Sequence, residues 1–185
     1  MVDVFITGGT GYVGKFLIDS LLDEKDIKTI KLLARSREKA FLQLSNLIQK
    51  ANKTGKNLII LKGDVIHHNL GLSNSEIKSL ESIDEVYHLA SIVSLSKDKS
   101  KREGIINTNF VGTKNILDVF KNSENLKRFF YFSTAYACGK TAKLVNEEWL
   151  EKPADFRNYY EESKWLSENI IKEYQEIFGK ENYFI

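Results

Sequence analysis

A chain of 185 residues can bury one sizeable core, and at 42% hydrophobic and 28% charged residues it reads as a folded soluble domain rather than a disordered one. Its net charge of +2 points neither to nucleic acid nor to a membrane surface, and no apolar run reaches the roughly 18 residues of a membrane helix. The single cysteine, Cys138, excludes an internal disulfide, and no leader-like stretch precedes the first apolar run, so a cytoplasmic setting is expected.

Val2-Asp3-Val4-Phe5-Ile6 is short, apolar and β-branched, the pattern of a buried parallel strand. Phe16, Leu17, Ile18, Leu21 and Leu22 then recur at helical spacing. Between them lies Thr7-Gly8-Gly9-Thr10-Gly11-Tyr12-Val13-Gly14, which fits G-x-G-x-x-G from Gly9 and G-x-x-G-x-x-G from Gly8. A strand that enters a helix through spaced glycines can hold a diphosphate. The chain can approach the anion closely, and the unpaired N–H groups of the first helical turn face it.

Lys28 to Ala34 reads as the second strand and ends at Arg35-Ser36-Arg37. In a dinucleotide fold this strand end faces the adenosine ribose. No acid stands there for a 2′-hydroxyl, whereas guanidinium and hydroxyl donors suit a 2′-phosphate. The other reading is an ordinary exposed helix start with Ser36 as its cap.

A helix over Glu38 to Lys50 is expected from Phe41, Leu44, Leu47 and Ile48, and a third strand over Asn57 to Leu61. Asp64, just past that strand, can accept from an adenine amino group or cap a turn. Ser73 is placed near the start of a short helix reaching Leu80. Adjacent His67 and His68 have poor geometry for sharing one metal and are read as surface residues. Asp84 to Ser91 reads as the fourth strand and its turn, with small Ala90 and Ser91 leaving room for a cofactor and His88 as a neighbour rather than a catalyst.

The lysine-rich stretch Lys97 to Arg102 is read as a solvated face. A long helix follows from Ile105 to Lys121, its apolar side formed by Ile106, Phe110, Ile116, Leu117 and Phe120. Gly112 inside it costs about 1 kcal/mol relative to Ala, which close contact with the sheet would offset. Lys127 to Thr134 is the fifth strand, with hydroxyls at the carboxyl end where open α/β sheets place ligands.

Thr141 to Arg157, with the only proline, reads as a loop over the site. The last helix is expected from Tyr159 to Phe178, with Trp165, Ile170, Ile171, Tyr174 and Ile177 as apolar contacts and Gly179 as its stop. Asn182 to Ile185 begins a sixth strand. The sum is an α/β fold, a doubly wound parallel sheet of the Rossmann type.

Tyr160 and Lys164 stand one helical turn apart on one face. A lysine ammonium beside a phenol is expected to lower the phenol's pKa, suiting it to proton transfer to a carbonyl. Thr134, or its neighbour Ser133, would orient that carbonyl. Tyr159 lies about 100° around the helix and is read as packing or a substrate-side contact.

In series, the glycine loop, Gly63-Asp64-Val65, His88-Leu89-Ala90, Asn109-Phe110-Val111-Gly112-Thr113, Ser133-Thr134-Ala135-Tyr136 and Tyr160-Glu161-Glu162-Ser163-Lys164 resemble the extended short-chain dehydrogenase/reductase family over essentially the whole chain. Leu33-Ala34-Arg35-Ser36, and Gly63-Asp64-Val65 followed by Leu70-Gly71-Leu72-Ser73, most resemble its thioester-reductase and fatty acyl-CoA reductase branch, the male-sterility type. Sugar-nucleotide epimerases and dehydratases usually lack that last pairing.

The resemblance implies NADPH-dependent reduction of an acyl thioester, on coenzyme A or an acyl carrier protein, to an aldehyde or alcohol. It implies Thr134, Tyr160 and Lys164 as the catalytic set. Gly8, Gly11 and Gly14 would hold the diphosphate, Arg35 the 2′-phosphate and Asp64 the adenine. Thr10, Tyr12, Val13, Val65, Ala90, Asn109 and Lys164 complete the cofactor-binding set, with no metal. NAD in place of NADP, an NAD-dependent sugar-nucleotide epimerase or dehydratase, and a non-catalytic dinucleotide-binding module remain alternatives. Family members continue into a substrate lobe, so residues 1–185 are expected to be a truncated NAD(P)-binding domain lacking that lobe. Its unpaired last strand favours a homo-oligomer.

Overall fold

The computed structural model describes residues 1–142, 144–149, 151–178 and 183–184. Six strands, β1 (Val2–Thr7), β2 (Ile27–Ala34), β3 (Asn57–Lys62), β4 (Glu85–His88), β5 (Arg128–Tyr131) and β6 (Tyr183–Phe184), form one parallel sheet in the order β3-β2-β1-β4-β5-β6. β6 bears out the expected sixth strand, pairing Tyr183 with Phe129 and Phe184 with Phe130. The expected stop at Gly179, the flanking Asn182 and Ile185, and the side chain of Ile177 lie outside the described residues.

Both faces of the sheet are covered, which is why its strands are nearly continuous apolar runs. Val4 and Ile6 of β1 point to one face, with Ile30, Leu32 and Ile60, and meet Ile18 and Leu22 of helix α1 (Tyr12–Asp23). Phe5 points to the other, with Leu33, Leu61, Val86 and Phe129. There it meets Ile116, Leu117 and Phe120, and Ile171 and Tyr174 further along the chain. Each fully buried Leu, Ile or Phe contributes about 1.5–3 kcal/mol, so the two layers hold the sheet between them.

The helix expected over Glu38 to Lys50 is two helices, α2 (Arg37–Gln43) and α3 (Ser45–Lys53), broken at Leu44 with φ −115° and ψ 13°. The break buries Leu44 and Ala40 and leaves Phe41 55% exposed, so the stripe counted from Phe41 is out of phase with the core. α4 (Asn74–Lys78) starts as expected near Ser73. The Ser73 hydroxyl accepts the Glu76 N–H, and the Glu76 carboxylate accepts the Ser73 N–H at 2.9 Å.

The long helix also departs from expectation. It runs as α5 (Lys99–Ile106), a π-helical turn (Asn107–Val111) and α6 (Gly112–Phe120). A π turn inserts one extra residue and shifts the helical phase. Ile105 and Asn109 are therefore buried in place of Ile106 and Phe110. Gly112 does make a close contact, but with the loop after β3: a Cβ there would lie 2.7 Å from Val65 Cγ2. α7 (Tyr159–Phe178) has the expected bounds.

Candidate active site

Parallel strands put all their carboxyl ends at one edge of the sheet. β1 lies at its middle with β2 on one side and β4 on the other, the place where such sheets open a crevice. Gly8 adopts φ +72°, and a Cβ there would lie 2.7 Å from the Ala90 nitrogen, so the glycine loop rests directly on the end of β4. Gly14 is buried, and its Cβ would lie 2.5 Å from the Gly8 oxygen. Gly11 caps α1 with no side-chain acceptor, and the first turn holds no acid. The amides of Tyr12 and Val13 thus stand at a helix start without a side-chain cap, and both residues are exposed. Thr10 is half-buried beside them. The mouth fits a phosphate group.

At the end of β2, Ser36 caps α2, accepting the Lys39 N–H at 3.2 Å. Arg37 Nε donates to the Ile60 carbonyl at 3.0 Å, which ties it back to β3. Arg35 is exposed and carries no such tie among the described residues. Both readings of this stretch therefore have a place in it: Ser36 is the cap, and Arg35 presents the guanidinium.

Asp64 forms a turn: its Oδ1 accepts the Ile66 N–H at 3.2 Å and its own N–H donates to the Leu70 carbonyl at 2.9 Å. Val65 is buried beneath it and Asp64 half-buried. The opposing segment, Asn69-Leu70-Gly71, has three successive positive φ values.

Behind the glycine loop runs a buried polar chain. Thr7 Oγ1 accepts the Ala90 N–H at 3.2 Å and lies 2.6 Å from His88 Nδ1. His88 Nε2 lies 2.9 Å from Thr113 Oγ1, whose own proton goes to the Asn109 carbonyl at 2.5 Å. That fixes the tautomer: Nε2 carries the hydrogen and Nδ1 accepts from Thr7. Complete burial pushes the His88 pKa down to about 3, with the Lys164 charge adding to the effect, so the ring is neutral. His88 sits as the expected neighbour.

Asn109 clasps the loop after β4. Its Oδ1 accepts the Ile92 N–H at 2.7 Å, and its Nδ2 donates to the Ile92 carbonyl at 3.0 Å and to Ser163 Oγ at 2.8 Å. Ser163 donates onward to the Tyr160 carbonyl at 2.8 Å. Asn109 reaches the site as a buried brace between the β4 loop and α7.

α7 begins where Asn158 Oδ1 accepts the Glu161 N–H at 3.0 Å. Tyr160, Lys164 and Glu168 follow on successive turns of one face, all buried. Lys164 Nζ donates to the Phe132 carbonyl at 2.6 Å and stands 4.5 Å from the Tyr131 ring centroid and 6.0 Å from that of Tyr160. Burial pushes the Lys164 pKa down to about 8, and Glu168 pulls the other way.

Burial raises the Tyr160 pKa, partly offset by the Thr134 hydroxyl. This differs from the expected lowering by Lys164. The ammonium is spent on the Phe132 carbonyl and the Tyr131 face, while the phenol is desolvated.

The two strand-end hydroxyls also separate. Ser133 donates to Glu168 Oε1, so its proton is turned inward. Thr134 caps the short turn Ala135–Cys138, accepting the Tyr136 N–H at 3.3 Å, and keeps its proton for the Tyr160 side. Tyr159 is packing: the Arg102 guanidinium, paired with Glu162 at 2.6 Å, lies 5.7 Å from its ring centroid.

Ser167, whose hydroxyl donates to the Asn109 carbonyl at 3.0 Å, and Glu168 are not among the residues singled out in the sequence, while Thr113 and Ser163 stand there only inside longer motifs. The signal for both was present: Ser167 follows Ser163 by one helical turn, and Glu168 continues the Tyr160–Lys164 spacing. Among the described residues no cluster of His, Cys, Asp and Glu is arranged to hold a metal, and no helix is long and apolar enough to cross a membrane.

Residues 6–179 match the family model described as Male sterility protein. The chain is 30% identical over 181 residues to fatty acyl-CoA reductase wat of Drosophila melanogaster, covering 91% of this chain and 34% of that protein. Among solved structures it is similar to the terminal R domain from the myxalamid PKS-NRPS biosynthetic pathway (TM-score 0.78, 26% identity, 95% of this chain and 46% of that one). UDP-glucuronic acid 4-epimerase from Bacillus cereus shares the fold (TM-score 0.75, 21% identity, 96% and 54%). The chain spans about a third of the length of fatty acyl-CoA reductases it matches.

Proposed function

The chain belongs to the male sterility protein family, NAD(P)-binding oxidoreductase domains of the extended short-chain dehydrogenase/reductase type, and on that premise we propose that it is the cofactor-holding part of an NADPH-dependent acyl-thioester reductase. The observation that supports the acyl assignment is the 30% identity to fatty acyl-CoA reductase wat over 91% of this chain. The acyl group would arrive on coenzyme A or on a carrier-protein arm, and the product would be an aldehyde or, after a second reduction, an alcohol.

A nicotinamide dinucleotide held in this site would supply the hydride. The α1 amides at Tyr12 and Val13 hold the diphosphate, with Gly8 and Gly14 keeping the loop low enough for it to enter. Arg35 pairs with a 2′-phosphate, which favours NADP over NAD. Thr134 and Tyr160 donate to the thioester carbonyl oxygen. The raised pKa keeps Tyr160 protonated and able to give. Lys164, cationic below about pH 8 and held by the Phe132 carbonyl, would serve the coenzyme rather than the phenol. A hydride added to the carbonyl carbon and a Tyr160 proton on its oxygen would leave a thiohemiacetal, whose C–S bond breaks to give an aldehyde and a thiol that carries the proton away.

The test is coenzyme binding on this chain and turnover on a protein that joins it to a substrate-binding lobe. NADPH should bind more tightly than NADH, and acyl-CoA should drive its oxidation. Tyr160→Phe should bind NADPH normally and lose the oxidation. Tighter binding of NADH, or undiminished turnover in Tyr160→Phe, would overturn the reading.

A further inference from the structure

We propose that Glu168 is a positioning residue of this site: its buried carboxylate accepts a hydrogen bond from Ser133 and stands one turn beyond Lys164, so that one acid sets both the strand end that carries Thr134 and the charge of the lysine. The proposal rests on the placement of Lys164 and Thr134 in the proposed reduction.

A carboxylate that is 7% exposed needs partners. Glu168 has one hydrogen bond, from Ser133, and one neighbouring charge, that of Lys164. Ser133 donates to Oε1 and precedes Thr134 in the chain. Lys164 lies one helical turn before it and raises no barrier to ionisation, since the ammonium and Glu168 each favour the other's charged form. Burial raises the Glu168 pKa, and both the Ser133 hydroxyl and Lys164 bring it back down.

The other groups facing Lys164 carry no charge that could take over this role. His88 on β4 is neutral. Burial raises the phenols of Tyr131 on β5 and Tyr160 on α7, so both keep their protons at neutral pH. The Phe132 carbonyl offers only a dipole. Ser133 thus matters although its hydroxyl is turned away from the reacting side: it keeps Glu168 ionised, and Glu168 keeps Lys164 cationic.

The lysine Cε resonance of Lys164, followed by NMR on the isotope-labelled full chain and assigned by its absence in Lys164→Arg, reports the titration directly. With Glu168→Gln the midpoint should fall by about half a unit or more, roughly a threefold rise in neutral lysine at a given lower pH. Ser133→Ala should move it the same way by less, and Ser133→Thr, which restores a hydroxyl, should return it. An unmoved or raised midpoint in either folded variant overturns the proposal, and Ser133→Ala decides it alone if Glu168→Gln does not fold. No dinucleotide or thioester enters the measurement, so it succeeds or fails separately from the proposed reduction.

Discussion

His88 Nε2 donates to Thr113 Oγ1 across 2.9 Å, and the donation has one possible direction because the hydroxyl has already given its hydrogen to the Asn109 carbonyl. A second proton on the ring would have to sit on Nδ1, where Thr7 donates, and would set two hydrogens against each other. The buried ring must therefore stay neutral for β1, β4 and α6 to remain joined.

Acid should weaken the fold through this ring. The unfolded histidine titrates near 6.5 and the folded one at about 3, so between those values the unfolded chain binds the extra proton. Stability from this source is whole above pH 6.5 and is lost as pH falls toward 3, at up to about 1.4 kcal/mol per pH unit. Urea unfolding of the wild-type chain and of His88→Gln between about pH 4 and pH 7 should show a smaller slope in the variant. Equal slopes would remove His88 as the cause.

The glycines of the loop should divide into structural and ligand-facing ones. A methyl at Gly14 would sit 2.5 Å from the Gly8 oxygen and from Gly9 Cα, and backbone cannot swing aside, so Gly14→Ala should destabilise by about 1–3 kcal/mol. At Gly11 the same methyl meets only the Gly8 oxygen, at 3.2 Å. Gly11→Ala should therefore cost at most about 1 kcal/mol while weakening dinucleotide binding tenfold or more, about 1.4 kcal/mol. Thermal melts paired with NADPH titration separate the two. A Gly11→Ala chain that bound normally would put the diphosphate elsewhere.

Coenzyme preference should depend on Arg35. Its neighbours Ser36 and Arg37 are already engaged, so losing this one side chain removes the free guanidinium at the β2 end. Loss of a charge-assisted hydrogen bond of about 1.5–3 kcal/mol predicts roughly 10- to 100-fold weaker NADPH binding in Arg35→Ala. NADH binding should be unchanged, and calorimetric titration with both coenzymes checks it. A loss shared equally by the two would assign Arg35 to the helix start alone.

The sequence foretold the elements whose signals are local. Strand apolarity, the glycine spacing at β1, the Ser73 cap and the extent of α7 depend on residues within a few positions of one another, and each lies where expected. Phase was lost where the backbone itself changes. Leu44 ends one helix and starts another, and the π turn at Asn107–Val111 rotates everything before it by one residue, so Asn109 faces inward where Phe110 was expected. The direction of the Tyr160 shift was hidden for another reason. One-turn spacing puts Lys164 on the right face, but only the tertiary structure reveals that its ammonium reaches the Phe132 carbonyl. Ser133 and Thr134 are equivalent in the sequence and become distinct only because Glu168, from a different element, accepts a hydrogen bond from Ser133.

Gly8 rests on Leu89 and Ala90, and Thr7 meets His88, 81 positions further along the chain. During synthesis the anion-gripping turn emerges first, yet its floor is translated much later, after two further strands. Until β4 slots in beside β1, the turn has its fold angles but nothing beneath them. Competence to take up a coenzyme is thus tied to a late, long-range docking event, and a nascent chain halted before that strand would carry the signature of the site without its grip.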